Sequence, residues 1–319
     1  MNRYFIGVDL GGTKIASVLT DSTGQIVASD KRPTNAAAGA DEVVANIFDS
    51  IRSITKGVSQ ECLQGIGIAS PGPVDIKQGV IIDAPNLGWK NFAISEVLEA
   101  EFQIPCLLEN DANAAAIGEW VFGAGKGLHD LIYITVSTGV GGGIICNNQI
   151  LHGRDDAAGE IGHIIVEADG PYCKCGKKGC LEAISSGTAI AAAARRLIGE
   201  GRPSSILTKV QNNPALINTQ IVAAAAAEQD PLAVEILNRA IYFLGIGVAN
   251  LIQIFNPELI IIGGGVSKIG SILYEGVWQV VVENTFAHTV KDLMIVPPGL
   301  GDACGTIGAA ALAVRQFGQ

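Results

Sequence analysis

The feature that most constrains the fold of this chain is a glycine-turn hairpin that occurs twice. Residues 4–21 form an apolar strand pattern, a glycine turn and a second strand pattern, and residues 130–146 repeat the same plan. A shift of 128 positions aligns Ile6 with Ile134, Val8 with Val136, Asp9 with Ser137 and Gly11 with Gly139. A motif that recurs once in each half indicates an internal duplication, so we expect an α/β protein with two lobes.

The glycine turns themselves suggest a phosphate-binding role. Gly11, Gly12 and Thr13 offer backbone amides and a hydroxyl without side-chain bulk, which suits a polyphosphate. The turn is not a Walker A loop, and it is not a dinucleotide fingerprint, because a strand rather than a helix follows the glycines. One such turn is also typical of an ordinary hairpin. Two turns, one from each half, could hold a polyphosphate between them.

The composition excludes some partners. The 319 residues include 40 glycines and carry a formal net charge of −10. Because nucleic-acid binding needs clustered Lys and Arg, and the longest basic run is Lys177-Lys178, nucleic acid is not expected as the main partner. The N-terminal residues lack the pattern of a secretory signal, and no apolar run approaches the roughly 18 residues that span a bilayer. We therefore expect a cytoplasmic protein without a membrane partner.

A second constraint is a cysteine-rich segment. Cys173, Cys175 and Cys180 fall within eight residues, and His163 lies ten positions before the first of them. Three thiolates and one imidazole are a standard four-ligand set for zinc. The alternative, one disulfide and a spare thiol, is disfavoured in an intracellular chain. Four protein ligands leave no open position for a reactive water, so a structural zinc is predicted.

Polar residues cluster at a predicted strand-to-helix junction. Residues 105–109 read as a short buried strand, and an alanine-rich helix follows it. Glu109, Asn110, Asp111 and Asn113 fall within five residues at this point. Asp111 would be a good helix N-cap. However, α/β proteins place their ligands at the carboxyl ends of sheet strands, so we interpret the junction as a site.

Hydrophobic periodicity places the remaining elements. Residues 201–211 read as a polar surface loop, and Trp89 lies in a loop where core packing and a ligand contact are equally expected. Helices are predicted over residues 41–56, 186–199, 219–228, 230–255, 268–284 and 305–315, and strands over 65–70 and 294–296. Residues 259–267 are predicted to form a buried strand that ends in a glycine turn.

Taken together, these motifs resemble the ROK family of sugar kinases and repressors, within the actin-like ATPase superfamily. The resemblance runs from Ile6 to about Arg315 and is strongest to the bacterial glucokinases. It implies a two-lobed α/β actin-like ATPase fold, that is, a duplicated ribonuclease H-like fold, with a structural zinc site. The motifs that carry it are Asp9–Lys14, Ser70–Asp75, Glu109–Asn113, Ser137–Gly141, Gly159–His163, Cys173–Glu182 and Gly263–Val266.

The resemblance also implies roles for individual residues. Asp111 matches the catalytic base, which accepts the proton of the sugar 6-hydroxyl. The positions that match sugar contacts are Asn86, Asn110, Asp111, Glu160, His163 and Glu182. The positions that match the nucleotide loops are Gly11, Gly12, Thr13, Thr138 and Gly139 for the phosphates and Gly264 and Gly265 for the adenosine. Lys14 is a further candidate for the phosphates, although its place on a strand favours a surface or structural role.

Two metal ions are implied as well. His163, Cys173, Cys175 and Cys180 match the zinc ligands. One ring nitrogen of His163 can bind zinc while the other donates to a sugar hydroxyl. Mg²⁺ is expected to bridge the nucleotide phosphates, and Asp9 is the candidate to hold it, through water.

The predicted activity is ATP-dependent phosphorylation of a hexose at its 6-hydroxyl, from D-glucose to glucose 6-phosphate. Family kinases for N-acetylmannosamine, N-acetylglucosamine or fructose are the alternatives. A sugar-responsive repressor is a remote alternative, because family repressors carry a helix-turn-helix domain before the first hairpin and only eight residues precede Asp9. An actin-like filament or chaperone ATPase is not expected to carry the cysteine string.

The predicted organisation follows the same resemblance. Residues 1–118 are expected to form a small N-terminal lobe, with a closing helix at about 303–319 packed back on it. Residues 119–302 are expected to form a larger lobe that contains the zinc segment. The family is usually dimeric or tetrameric, so a homodimer or homotetramer that binds a hexose and ATP is expected.

Overall fold

The computed structural model describes residues 2–318, which form two compact units. The first unit contains the described residues up to His129, the segment Gly143–Gly159 and the described residues from Pro298 onward. The second contains Asp130–Gly142 and Glu160–Pro297. The lobe boundaries predicted after residues 118 and 302 stay a prediction.

The strands form two five-stranded sheets and one three-stranded sheet. The strands of the first half are β1 (Tyr4–Leu10), β2 (Lys14–Asp21), β3 (Ile26–Pro33), β4 (Leu63–Ser70), β5 (Val74–Asp75), β6 (Val80–Ala84), β7 (Trp89–Phe92) and β8 (Cys106–Asn110). Those of the second half are β9 (Leu131–Val136), β10 (Val140–Cys146), β11 (Gln149–Ile150), β12 (Leu259–Gly263) and β13 (Met294–Val296).

The α-helices follow the predicted order, with two short ones and one near residue 100 in addition. They are α1 (Ala40–Ile54), α2 (Ile94–Phe102), α3 (Asp111–Val121), α4 (Glu182–Ser185), α5 (Gly187–Gly199), α6 (Ile206–Lys209), α7 (Thr219–Ala227), α8 (Pro231–Phe255), α9 (Ser271–Asn284) and α10 (Cys304–Phe317).

The two larger sheets share one topology. Their strand orders are β3-β2-β1-β4-β8 and β11-β10-β9-β12-β13, which is third-second-first-fourth-fifth in each. β1 pairs in parallel with β4 and β4 with β8, just as β9 pairs in parallel with β12 and β12 with β13. The duplication therefore extends from the hairpin to the whole sheet, which confirms the predicted fold class.

The offset between the two hairpins differs from the predicted one. The turn residues are 11–13 between β1 and β2 and 137–139 between β9 and β10, an offset of 137 − 11 = 126 rather than 128. Asp9 lies within β1, where it pairs with Ala16, so Ser137 in the second turn is not its counterpart. The sequence pattern fits both offsets, because a shift of two residues leaves every side chain of a strand on the same face.

Strand β1 is buried on both faces, and each face meets a different helix. Ile6 and Val8 join one hydrophobic cluster with Ile47 and Ile51 of α1. Between them, Gly7 points the other way, and a Cβ on Gly7 would lie 2.3 Å from a carbonyl oxygen of α10. The alternation with period two thus places a side-chain core on one face and a backbone-to-backbone contact on the other.

Helix α8 is the long apolar helix of the second unit. Asp230 caps it by accepting a hydrogen bond from Ala233 N at 2.9 Å, and Pro231 occupies its first position, as predicted. Asn256 ends it in a left-handed conformation with φ of 44°. Among residues 2–318, α8 is the one helix that is long enough and apolar enough to cross a membrane, judged by length and composition. The expectation that no such segment exists is therefore wrong. However, 67% of its most apolar window is buried, as in a core helix.

One local prediction also needs correction, a second is confirmed, and one alternative is decided. The predicted polar loop 201–211 contains the short helix α6, whose Ile206 is fully buried. The buried strand that was predicted to end in a glycine turn within residues 259–267 ends at Gly263, and the φ of +88° at Gly264 ends the extended run. Trp89 is 2% exposed and stacks on Phe92, so core packing describes it.

We predict that Gly67→Ala destabilises the protein by about 3 kcal/mol, because the new methyl would overpack the contact between β4 and α10. A Cβ at this position would lie 1.8 Å from the carbonyl oxygen of Ala309. Urea denaturation would measure the loss. The matched control is Gly199→Ala at the end of α5, where no heavy atom lies within 4 Å of a Cβ. An unchanged urea midpoint for Gly67→Ala would contradict the close packing.

Candidate functional site

The predicted junction between β8 and α3 is present, but its helix cap is not the one considered from the sequence. Asn110, rather than Asp111, caps α3: its Oδ1 accepts hydrogen bonds from Ala112 N at 2.9 Å and Asn113 N at 3.3 Å. Asp111 is the first helical residue and is exposed; its Oδ1 accepts from Ala112 N at 2.8 Å. The carboxylate of Asp111 therefore lies at the surface of the first unit, on a helix whose first turn is capped by Asn110.

Beneath this junction, a buried glutamate is hydrogen-bonded to a partly buried histidine. Glu109 is 3% exposed, and its Oε1 accepts from Asn110 N at 2.9 Å and from Asn113 Nδ2 at 3.0 Å. Its Oε2 lies 2.7 Å from Nε2 of His152. The hydrogen bond to Glu109 is the main reason that the pKa of His152 is raised; partial burial opposes this, and the charges of Glu109 and Asp156 add to it. The pair is thus a charge-assisted bond under the candidate base.

The glycine turn of the first unit is closed by local hydrogen bonds. Gly11 N donates to Lys14 O at 3.0 Å, and the hydroxyl of the buried Thr34 donates to Gly11 O at 2.6 Å. A Cβ on Gly12 would lie 2.9 Å from Cβ of Asn86, so Asn86 packs directly against the turn. The structure therefore brings the predicted sugar-contacting Asn86 beside the predicted phosphate turn.

Asp9 lies near the end of β1, next to the start of α10. Burial raises the pKa of its carboxyl, and the positive charge of Lys14 partly opposes this. A Cβ on Gly305 would lie 2.8 Å from Asp9 Oδ2, so only glycine allows the helix to approach the carboxylate this closely. Lys14 is the first residue of β2 and is exposed. Its charge acts on Asp9 from there, which agrees with the predicted surface role.

In the second unit, the predicted zinc ligands converge. The ligand atoms of His163, Cys173, Cys175 and Cys180 all lie within 4.8 Å of one another. Cys173 Sγ is 3.7 Å from His163 Nδ1, and Cys175 Sγ is 3.6 Å from Cys180 Sγ. Four donors at about 2.3 Å around a tetrahedral ion would be about 3.8 Å apart, so the set fits zinc. A disulfide, which needs about 2.05 Å, does not describe this pair, and all seven cysteines are free.

The surroundings of Cys173 and Cys180 favour the neutral thiol over the thiolate. Burial is the largest cause that raises the pKa of Cys180, to about 12, and the neighbouring thiols add to it. Burial also raises the pKa of Cys173, whereas a backbone hydrogen bond from Lys177 lowers that of Cys175. A bound cation supplies the charge that keeps such thiols as thiolates.

Two acidic residues flank the cluster. Glu160 Oε2 lies 4.0 Å from Nε2 of His163, on the ring edge opposite the nitrogen that faces the cysteines. Glu182 has one carboxylate oxygen 3.9 Å from Cys173 Sγ, while the other accepts from Val140 N at 3.0 Å. The cysteine–histidine cluster is therefore linked to the second glycine hairpin through one carboxylate.

The second glycine turn contacts the predicted adenosine loop. A Cβ on Gly264, whose φ is +88°, would lie 2.4 Å from Val136 O, and one on Gly265 would lie 3.7 Å from Ser137 Oγ. Thr138 O accepts a hydrogen bond from Thr188 Oγ1 at 2.6 Å. Close approach of the two loops therefore depends on glycine at position 264.

A cavity of about 810 Å³ opens beside this turn, within the second unit. This volume suits a small-molecule ligand. Its lining includes Thr138, Gly139 and Glu182 together with Tyr172, Arg195 and Arg239.

The structure thus groups the predicted site residues into two sets, and their roles stay predictions. One set belongs to the first unit and the other to the second. The first is Asp9, Gly11, Gly12, Thr13, Lys14, Asn86, Asn110 and Asp111, and the second is Thr138, Gly139, Glu160, His163, Cys173, Cys175, Cys180, Glu182, Gly264 and Gly265. The sequence analysis missed His152, because a single histidine after a two-residue strand gives no signal of its partner 43 positions earlier.

Comparisons with known proteins agree with this arrangement. The family model described as the ROK family matches residues 5–316. A glucokinase from Halalkalibacterium halodurans is 37% identical over 99% of this chain and 96% of its own. The xylose repressor of Caldicellulosiruptor bescii is 32% identical over 98% of this chain but 78% of its own. A ROK family glucokinase from Streptomyces griseus, solved with glucose and AMPPNP, has a TM-score of 0.82 and 34% identity, covering 98% of this chain and 99% of that one; the likeness confirms an actin-like ATPase fold.

We predict that the Glu109–His152 pair makes stability depend on pH. Because the folded-state pKa of His152 is raised, the stabilisation is fully present below the unfolded pKa, about 6.5, and is lost as pH rises through the folded pKa. The unfolding free energy of the wild type relative to His152→Gln should therefore fall as the pH rises above about 6.5 and through the raised pKa of His152. Urea titrations at each pH would measure it. In a Glu109→Gln background the same difference should be flat; a flat wild-type difference would contradict the pairing.

Proposed function

Because the chain belongs to the ROK family, we propose that it is an ATP-dependent hexose kinase that converts D-glucose to glucose 6-phosphate. The observation that carries this proposal is the extent of the likeness to glucokinases: 37% identity spans 99% of this chain and 96% of the relative. The likeness therefore includes both the β8–α3 junction and the cysteine cluster. Kinases for N-acetylmannosamine, N-acetylglucosamine or fructose are the close alternatives.

The proposed reaction needs one base and little other covalent work from the protein. The 6-hydroxyl oxygen of the sugar attacks the γ-phosphorus of ATP, the bond from that phosphorus to the β–γ bridging oxygen breaks, and ADP leaves. The hydroxyl proton passes to the carboxylate of Asp111. The exposed position of this carboxylate, at the first residue of α3, supports the assignment. In-line positioning and charge stabilisation supply the remaining rate acceleration.

The sugar and the nucleotide would bind through hydrogen-bonding groups. Amide and carboxylate side chains pair with sugar hydroxyls, and a buried group left unpaired penalises a wrong epimer. The proposed sugar contacts are Asn86, Asn110, Glu160, His163 and Glu182. The proposed phosphate contacts are the backbone groups of Gly11, Gly12, Thr13, Thr138 and Gly139, with Gly264 and Gly265 at the adenosine.

Magnesium would enter with ATP. Mg²⁺ neutralises phosphate charge when it is bound, and it retains water ligands in such sites. Asp9 is the proposed residue to hold that water shell. Its elevated pKa, caused by burial, supports this, because a partly buried carboxylate gains most from a nearby cation.

The four-residue cluster is proposed to hold a structural zinc ion. Three sulfurs and one imidazole nitrogen fill a tetrahedral shell and leave no place for a reactive water. His163 would bind the metal through Nδ1, the nitrogen near Cys173, and this leaves Nε2 to donate to a sugar hydroxyl. Zinc would then order a sugar contact without taking part in the chemistry.

The location and assembly are proposals as well. We infer a cytoplasmic homodimer or homotetramer, as the family resemblance implies. Apolar side chains that stay exposed on and beside α9 support a subunit contact there; they are Ile272, Trp278, Val282 and Phe286.

A sugar-responsive regulator is the second candidate. It is favoured by the 32% identity to a xylose repressor over 98% of this chain, and by a ROK family transcriptional regulator with a TM-score of 0.86. Both matches cover 78% of the other chain. Turnover discriminates the two candidates, because a regulator binds its sugar without releasing ADP.

We predict that the purified protein releases ADP in the presence of glucose, Mg²⁺ and ATP, and that Asp111→Asn lowers kcat by about 100- to 10,000-fold, because the base is lost. The change keeps the size of the side chain, so folding and the Kd for glucose should change little. A coupled assay over glucose, mannose, fructose, N-acetylglucosamine, N-acetylmannosamine and xylose would also rank the substrates.

The matched control for Asp111→Asn is Asp41→Asn, which removes an exposed carboxylate from the first turn of α1. It should leave kcat unchanged. Near-normal turnover by Asp111→Asn would reject the base assignment, and sugar binding without ADP release by the wild type would favour the regulator.

We predict that Cys175→Ala lowers the zinc content of the protein. It should also weaken the affinity for glucose by about tenfold, since a disturbed metal shell misorients His163. Zinc per chain by elemental analysis and glucose Kd by calorimetry would measure the two effects. Cys62→Ala, which changes a cysteine outside the cluster, is the control. If the zinc-free variant kept its glucose affinity, the metal would serve stability alone.

A further inference from the structure

Glu109 is the most constrained carboxylate near the proposed base. It is 3% exposed and is bound from three directions. One oxygen holds the end of β8, through Asn110 N at 2.9 Å, and the first turn of α3, through Asn113 Nδ2 at 3.0 Å. The other oxygen is bound to His152 Nε2 at 2.7 Å. One carboxylate group thus binds residues 110 and 113, on either side of Asp111.

The third contact decides how firmly that carboxylate is oriented. The terminal torsion of a glutamate is broad, so a carboxylate held at one oxygen only can rotate. An ionised carboxylate accepts but does not donate, so the hydrogen in the 2.7 Å contact belongs to Nε2 of His152. Fixing both oxygens leaves a single orientation, in which Oε1 serves Asn110 and Asn113 together.

His152 is itself held in place by its loop. Its carbonyl oxygen accepts from Ala158 N at 2.9 Å, which closes residues 152–158 into a loop. Within that loop, Asp156 Oδ2 accepts from Ile76 N at 3.1 Å. The charged groups that act on the imidazole are Glu109 from β8 and Asp156 from its own loop, and both are acidic. The surroundings therefore favour an imidazole that donates to Glu109.

We propose that His152 is a positioning residue for phosphoryl transfer, which acts through Glu109 to fix the Asn110–Asp111 junction. This inference rests on the proposed function, since it concerns the base of that reaction. The hydrogen bonds of Glu109 connect His152 with the residues on either side of Asp111, so the effect of His152 is on the placement of the base rather than on bond making. A displacement of about 1 Å at a catalytic group can cost about 100-fold in rate.

The test compares two substitutions that differ by one methylene group. The amide nitrogen of glutamine can take the place of Nε2, whereas that of asparagine reaches only as far as Nδ1. We expect His152→Gln to keep kcat within about threefold of the wild type, and His152→Asn to lower it by about 10- to 100-fold. The KM values for glucose and ATP should change less than about threefold in both, because placement of the base matters in the transition state. The control is His129→Asn, at an exposed histidine of the same unit, which should leave kcat and both KM values unchanged.

A double-mutant cycle tests the route through Glu109. In a Glu109→Gln background, His152→Asn should lower kcat by less than about twofold further, since the partner is already lost. Equal kcat in His152→Gln and His152→Asn, or an additive double mutant, would overturn the proposal. If His152→Asn does not fold, ¹⁵N NMR of labelled histidine in the wild type provides the test. Hydrogen on Nε2 of His152 is required, and a tautomer with hydrogen on Nδ1 alone would overturn the proposal.

Failure of this inference differs from failure of the proposed function. If the wild type releases no ADP with any sugar of the panel, the kinase proposal fails, and the ¹⁵N tautomer measurement then tests the His152–Glu109 bond without activity. If the wild type is active but His152→Gln and His152→Asn have equal kcat values, the kinase proposal is retained and the positioning role of His152 is rejected.

Discussion

The first unit depends on one constraint, the close approach of α10 to its neighbours. A Cβ on Gly7 or Gly67 would lie 2.3 or 1.8 Å from a carbonyl oxygen of this helix, and one on Gly308 would lie 2.0 Å from Ala114 O of α3. Backbone therefore packs on backbone, which leaves little room for sliding. Because β1 carries Asp9 and α3 begins at Asp111, this contact fixes the elements that bear both carboxylates.

The two units differ in how their buried ionisable groups are stabilised. In the first unit, Glu109 is satisfied by backbone, amide and imidazole donors, so no ion is needed. In the second, burial raises the pKa values of the Cys173 and Cys180 thiols, and these thiols lie with Cys175 and His163 in an arrangement that could hold a metal ion. Glu182 then connects this cluster with the second hairpin. Each unit thus contains its own network, built on an element end.

Much of the fold and of the candidate site could be predicted from the sequence, and the errors have physical causes. The hairpins, most helices and the cysteine cluster were predicted because their signals are local: a period, a glycine pair or a ligand spacing. The hairpin offset was wrong by two, since two residues restore the same face of a strand. Asn110 is the cap instead of Asp111, because α3 begins at Asp111, directly after the last residue of β8. His152 was missed, since its bond to Glu109 joins residues far apart in sequence.

The sequence by itself determined that this chain is a duplicated α/β protein with two glycine hairpins, a cysteine-histidine metal set and a polar junction after a buried strand. These features follow from the order and spacing of residues along the chain, which folding does not change. Only the tertiary structure decided which partners the buried groups have: that Glu109 meets His152, that Gly67 meets Ala309, and that Nδ1 rather than Nε2 of His163 faces the cysteines. Such contacts arise between distant segments, and their geometry depends on how the sheets and helices pack.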